Sequence, residues 1–388
     1  MRARTRLAAT LVTGAALLLT ACSGGAGTPQ TPTKPPAPPA KLTSAIADGS
    51  KDITVNTKLT LTASDGKVGE VKLVGKSGTP VEGRPSDDGK TWTSTGRLEF
   101  GETYSYEGKA LNADGKATEL RGSFSTVAPG TLVRGMLNID DNGTVGIAAP
   151  IIIQFAGHVE DRVAAEKALS VKSEPATTGA WGWLPDNDTG SRVHWRPQNY
   201  WAPNTKVTVT ANLYGVPYGQ GRYGKDDVTS TFTIGRSQIV KADVNTHRMT
   251  VIRDGAEVAS YDASMGSGAS QDRVTRSGIH VVTEKWEDKV MSNPPYYTDA
   301  RERWAVRISN NGEFIHANPN TIGNQGNSNV THGCINLSTA NAQEYFGTAI
   351  FGDPVEVTGS SVALSSADGD IYDWALDWGQ WQALSALR

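Results

Sequence analysis

Asp-Gly pairs at 65–66, 88–89, 114–115 and 254–255 cut this chain into short runs in which apolar residues recur at or near alternate positions. A period of two buries one face of an extended strand, and Asp-Gly tolerates the positive φ of a tight reversal. Val55, Leu59 and Leu61, then Val68, Val71 and Leu73, then Trp92 follow this pattern among Thr and Lys. With 42 glycines in 388 residues and few long helical periods, the chain is restricted to a mostly β fold.

Strands of this spacing predict a β-sandwich over 43–128. The segment 129–235 has the same texture, with Ile151-Ile152-Ile153-Gln154-Phe155, Val193-His194-Trp195 and Val207-Thr208-Val209-Thr210. Its ending, Lys206 to Val209 followed by Thr229 to Thr233, parallels Thr103 to Tyr106 followed by Gly122 to Ser125. The two segments therefore read as tandem immunoglobulin-like domains, the second with a short helix within Val159 to Leu169.

A third unit, 236–358, opens with Ile239 to Asp243 and Met249 to Arg253 and continues with strands at Gly278 to Val282 and Trp304 to Ile308. Between the last two, Glu284 to Arg303 reads as a long polar loop carrying Met291, Tyr296 and Tyr297, a length often found over sites. In the extension 359–388, Trp374, Trp378 and Trp381 are spaced i, i+4, i+7, which predicts one helix face. So large an apolar stripe fits docking against a neighbouring domain better than stacking on a glycan.

At the other end, Arg2, Arg4 and Arg6 precede a short apolar run, Leu7 to Thr20, that is too brief and too rich in Ala and Thr for a comfortable spanning helix. Residues 1–21 read as an export signal. Leu19-Thr20-Ala21-Cys22 resembles a lipoprotein box, which makes Cys22 the expected lipidation site, and 22–42 a Pro-, Gly- and Thr-rich tether at the outer face of the cytoplasmic membrane. A net charge of −3 offers no basic field for nucleic acid.

If Cys22 carries lipid, Cys334 has no partner in the chain, and a disulfide framework is excluded. Cys334 stands in Thr331-His332-Gly333-Cys334-Ile335-Asn336, with His316 upstream. A thiol attacks acyl carbon as thiolate, so a histidine within hydrogen-bond reach must take or share its proton. His332 and His316 are both candidates. His332 lies two residues from Cys334, on the same face of an extended backbone, while Gly333 between them permits close approach of substrate. His316 ends the apolar run Phe314-Ile315, and a strand placed beside Cys334 would bring its imidazole to the sulfur from the side. A helix capped by Ser338 and running to about Phe346 adds modest positive potential.

The pairing of Ile315-His316 with the motif 331–336 resembles the signature of the L,D-transpeptidases, of the YkuD-type catalytic domain, and the likeness extends to Gly352-Asp353-Pro354-Val355-Glu356-Val357. The layout of lipobox, two immunoglobulin-like domains and Trp-rich tail is similar to the lipid-anchored actinobacterial members. The resemblance implies a cysteine acyltransferase of peptidoglycan. Cys334 attacks the bond between diaminopimelate and the terminal D-alanine of a tetrapeptide stem, D-alanine leaves, and the amine of a second stem resolves the thioester into a 3→3 cross-link.

His316 is then the base, oriented by the carbonyl of Ala317. His332 and Gly333 shape the site, with backbone N–H groups around Cys334 as oxyanion donors. Asn336, Trp304, Met291, Tyr296 and Tyr297 are the implied substrate-binding residues. Carbapenem-type β-lactams become covalent inhibitors, and neither cofactor nor metal is implied. Three other classes compete: an L,D-carboxypeptidase using the same thiol, a non-enzymatic wall-binding lipoprotein, and a zinc site of His316, His332 and Cys334, for which no carboxylate or second thiol is placed by spacing.

Overall fold

The computed structural model describes residues 34–366 and 371–388. The expected signal and Cys22 lie outside the described residues. The first sandwich faces a sheet of Lys41–Ser44, Thr60–Ser64, Thr91–Ser94 and Gly83–Pro85 against one of Ser50–Ile53, Ala117–Thr126, Thr103–Leu111 and Lys67–Gly75. Burial alternates strictly along Thr103–Leu111, with Tyr104, Tyr106, Gly108 and Ala110 inward. The first strand starts at Lys41 rather than 43, because Ala40 and Leu42 are already part of the core.

The second sandwich repeats the plan. Gly135–Leu137, Ile151–Phe155, Gly190–Pro197 and Gly179–Asn187 face Thr144–Val145, Val228–Ile234, Lys206–Ala211 and Leu169–Glu174. The short helix, Arg162–Lys167, starts where the Asp161 side chain accepts from the Ala164 N–H. Tyr214 leaves this domain to join the first core, its hydroxyl donating to the Leu98 carbonyl at 2.9 Å. The chain is mostly β, with two immunoglobulin-like sandwiches ahead of a β-rich third unit.

That unit packs two sheets. One has the order Ala256–Asp262, Arg248–Arg253, Gln238–Asp243, Pro354–Thr358, Gly278–Val281, and the other Glu284–Asn293, Tyr297–Arg307, Phe314–Ala317, Ile335–Leu337. Val240, Met249, Val251, Val355 and Val357 of the first meet Val306, Ile315, Ile335 and Leu337 of the second, with Tyr345 of the helix Thr339–Thr348 in the same core. It meets the second sandwich through backbone bonds, the Gly146 N–H donating to the Phe351 carbonyl and the Ala148 N–H to the Gly352 carbonyl, with Phe351 packed on that sandwich's core. Within the unit Arg236 binds the buried carboxylate of Asp353 at 2.7 Å.

Two expectations are corrected here. The segment 284–303 is no loop but the greater part of a hairpin of Glu284–Asn293 with Tyr297–Arg307, in continuous register from Glu284 opposite Arg307 to Met291 opposite Ala300. Its polar composition hid it, because a hairpin leaning over a site has no apolar face to bury in the main core.

The C-terminal tryptophans do not share one helix. Trp374 lies in a 3₁₀ turn, Asp373–Ala375, and the α-helix restarts at Trp378, where Asp377 and Gln380 form a capping box. The three indoles nevertheless converge on Arg196 of the second sandwich, whose guanidinium lies 4.7 to 5.4 Å from their centroids. Trp381 is fully buried and donates to the Ala180 carbonyl, and the buried pair Asp373–His194 closes at 3.0 Å, so the tail is a clamp.

Candidate active site

Phe314–Ala317 and Ile335–Leu337 lie side by side in parallel, with His316 opposite Asn336. Ile315, Ala317, Ile335 and Leu337 point into the core between the sheets and anchor both strands. The alternation sends His316 to the opposite face, where Cys334, just before the second strand, packs with Met291, Ala305 and Phe314. The thiol is 8% exposed, so it is reached only through the cavities beside it.

The loop carrying the thiol is fixed by hydroxyls. Thr331 Oγ1 donates to the Cys334 carbonyl at 2.7 Å and accepts from the Gly333 N–H, while Thr275 Oγ1 donates to the Gly333 carbonyl. Gly333 sits at φ +130°, and a Cβ there would stand 3.1 Å from the Val274 carbonyl oxygen. Only glycine meets both conditions without strain. The Gly333 N–H is taken up by Thr331 Oγ1 at 3.2 Å.

His316 is fully enclosed. Its Nδ1 bonds the Ala317 carbonyl oxygen at 2.9 Å, with Glu302 Oε2 3.1 Å from the same nitrogen as an ion-pair contact, while the Cys334 thiol donates to the Gly312 carbonyl at 3.6 Å. Burial alone lowers the imidazole pKa, but hydrogen bonding and charge from Cys334, and then from Glu302, override it and raise it to about 10.

His332 is a different kind of group. Tyr296 lies tilted and Tyr297 edge-on against it at ring separations of 4.6 and 5.5 Å, and burial, then the Arg273 charge, pushes its pKa down. Among the described residues no hydrogen bond joins it to the thiol. Tyr296 also donates to Asp272, which ties the hairpin tip to the opposite rim.

Two cavities meet at Cys334, sharing Met291, Tyr297 and His332 in their walls. One, of about 380 Å³, is flanked by Arg276, Lys289, Arg307 and Glu313; the other, of about 260 Å³, by Glu302, His316, Asn318, Thr321 and Asn336. Asn336 Oδ1 is buried without a hydrogen-bond partner in the wall of the second, an acceptor ready for a ligand N–H. Chemically this is a buried thiol–imidazole pair open on two sides, suited to acyl transfer between two ligands.

Trp304 does not belong to the site. The strand Tyr297–Arg307 has one residue more than its partner between Arg303 opposite Ala317 and Val306 opposite Ile315, and Trp304 takes φ +56° in that bulge. The bulge turns the indole away, edge-on to Phe346 at 5.4 Å, and sets Ala305 beside Cys334 instead. Glu302 and Thr275 were missed because no motif carries them, whereas Thr331 stood in the hexapeptide 331–336 and was given no role.

Residues 50–217 match the family model for a bacterial Ig domain, and 237–357 that for an L,D-transpeptidase catalytic domain. The chain is 49% identical over 348 residues to L,D-transpeptidase 5 of Mycobacterium tuberculosis strain ATCC 25618 / H37Rv, a match spanning 89% of this chain and 77% of the relative. The chain belongs to the L,D-transpeptidases. L,D-transpeptidase 2 of M. tuberculosis strain CDC 1551 / Oshkosh is 37% identical over 357 residues, 89% of this chain and 85% of that one. The solved LD transpeptidase LdtMt1 in complex with imipenem superposes with a TM-score of 0.50 at 31% identity, covering 59% of this chain and all of that one. The L,D-transpeptidase fold thus brings Cys334, His316, His332, Gly333, Asn336, Met291, Tyr296 and Tyr297 to one site, and leaves Trp304 outside it.

Proposed function

We propose that the protein forms 3→3 cross-links in peptidoglycan through a thioester on Cys334. The observation that carries this reading is the thiol–imidazole pair at the junction of two cavities, since transfer between two stem peptides needs a donor and an acceptor at one sulfur. The thiolate attacks the carbonyl that joins diaminopimelate to D-alanine. The Cys334 N–H stabilises the oxyanion, His316 delivers its proton to the departing amine of D-alanine, and the C–N bond breaks to leave the thioester. The diaminopimelate amine of a second stem then attacks the thioester, His316 takes up its proton, and the new amide releases the thiol.

The larger cavity carries Arg276, Lys289 and Arg307 beside Asp272 and Glu313, and we assign the donor stem to it; Glu302 and the buried Asn336 Oδ1, without a partner among the described residues, suit an incoming amine in the smaller. A carbapenem presents an electrophilic carbonyl of the same kind, so Cys334 is also its acylation site. The protein is read as exported and anchored through lipid at Cys22, with the two sandwiches as a spacer between membrane and wall.

The test supplies a disaccharide tetrapeptide and follows products by mass. Dimer with loss of D-alanine supports the reading, whereas tripeptide alone at every acceptor concentration makes the protein a carboxypeptidase. Intact mass after incubation with imipenem reads the nucleophile, since an adduct that persists in Cys334→Ala removes Cys334 from that role.

A further inference from the structure

The bulge at Trp304 has a second consequence, at Glu302. In a regular strand the face that carries Ala305 would also carry Arg303 and Arg301. The inserted residue reverses that order, so Ala300 and Glu302 line the cavity beside His316, while Arg303 turns outward to the Glu287 carbonyl and Asp288. The hairpin that covers the site thereby delivers a carboxylate, rather than two guanidiniums, to the far nitrogen of the imidazole. Its Oε2 stands 3.1 Å from Nδ1, and the side chain is 19% exposed.

We propose that Glu302 is a positioning residue of the nucleophilic pair, acting through His316: from the covering hairpin it accepts the Nδ1–H bond beside the Ala317 carbonyl, fixing the tautomer and stabilising the imidazolium that faces Cys334. The inference rests on the assignment of Cys334 and His316 as nucleophile and base. The ionisable groups sharing the cavity with His316 are Glu302 and Tyr297 from the hairpin and His332 and Cys334 from the thiol's loop. Tyr297 stays neutral, its phenol pushed up to about 12 by burial and then by the charges of Cys334 and Glu302. Glu302 is therefore the group whose charge a substitution removes without touching the reacting atoms. Removing it lowers the His316 pKa, so the imidazolium is lost at a lower pH.

The experiment measures the rate of Cys334 acylation by imipenem from pH 5 to 11, by intact mass, in the full protein and in Glu302→Gln and Glu302→Asp, with melting temperatures in parallel. Glu302→Gln is expected to react roughly 10- to 100-fold more slowly, the factor carried by one charge-assisted hydrogen bond in a transition state, with its alkaline limb moved to lower pH. Glu302→Asp is expected to recover part of both. An unchanged profile in Glu302→Gln overturns the proposal, and so does a uniform slowing at every pH with no movement of the alkaline limb, which marks a structural role. If the unsubstituted protein forms no adduct at Cys334, the nucleophile assignment fails, and this proposal with it.

Discussion

His316 Nδ1 lies 2.9 Å from the carbonyl oxygen of Ala317, the next residue in its own strand. A strand residue bonded to the following carbonyl has its ring fixed by the backbone rather than by a side chain that substitution could remove. The Ala317 methyl lies in the core on the other face, so the identity of residue 317 matters for packing and its carbonyl for orientation.

His316→Gln removes the base and leaves the thiol. Acylation of Cys334 by imipenem should fall by roughly 10²- to 10⁴-fold, as measured by intact mass against time. A rate within a few-fold of the unsubstituted protein would move the base role to His332.

Gly333→Ala tests the loop. A methyl at φ +130°, 3.1 Å from the Val274 carbonyl, forces the thiol loop to shift. Strain of this kind costs about 1–3 kcal/mol, so the urea midpoint should drop and acylation should slow together.

The pKa of His316 sets a pH dependence of stability. Its folded value of about 10 stands above its ordinary 6.5, so the group binds protons more tightly when folded. Its stabilisation is complete below about 6.5 and lost as pH rises through about 10. Urea denaturation at pH 6 and pH 10 should show a loss in the unsubstituted protein that is smaller in His316→Gln; equal losses would exclude His316 as the source.

Trp381→Ala should open the C-terminal clamp. The indole is fully buried against the second sandwich, and such truncations cost about 3–5 kcal/mol. Calorimetry should show a lowered or split transition, with Cys334 acylation at 25 °C retained, because the clamp lies apart from the thiol.

Much of this fold was legible locally. Alternation along Thr103–Leu111 and Lys206–Ala211 appears unchanged as buried and exposed faces, and Ser338 caps its helix through the Asn341 N–H. The strands around Cys334 were legible too, since Phe314-Ile315 and Ile335 carry the apolar residues that anchor them. The hairpin Glu284–Arg307 was not, because its ladder is made by backbone groups that leave no mark on side-chain pattern.

The sequence by itself determined the β class, the two sandwiches, the thiol with its two candidate histidines and the family, because alternation and a short motif are properties of neighbouring residues. Tertiary structure set the two histidines apart, burying His316 beside Glu302 and the Ala317 carbonyl and placing His332 against two tyrosine rings. It also decided that Trp304 packs on Phe346 while Glu302 meets His316. One extra residue against the neighbouring strand exchanges the faces of every position beyond it, and register between strands is set by packing rather than by local sequence.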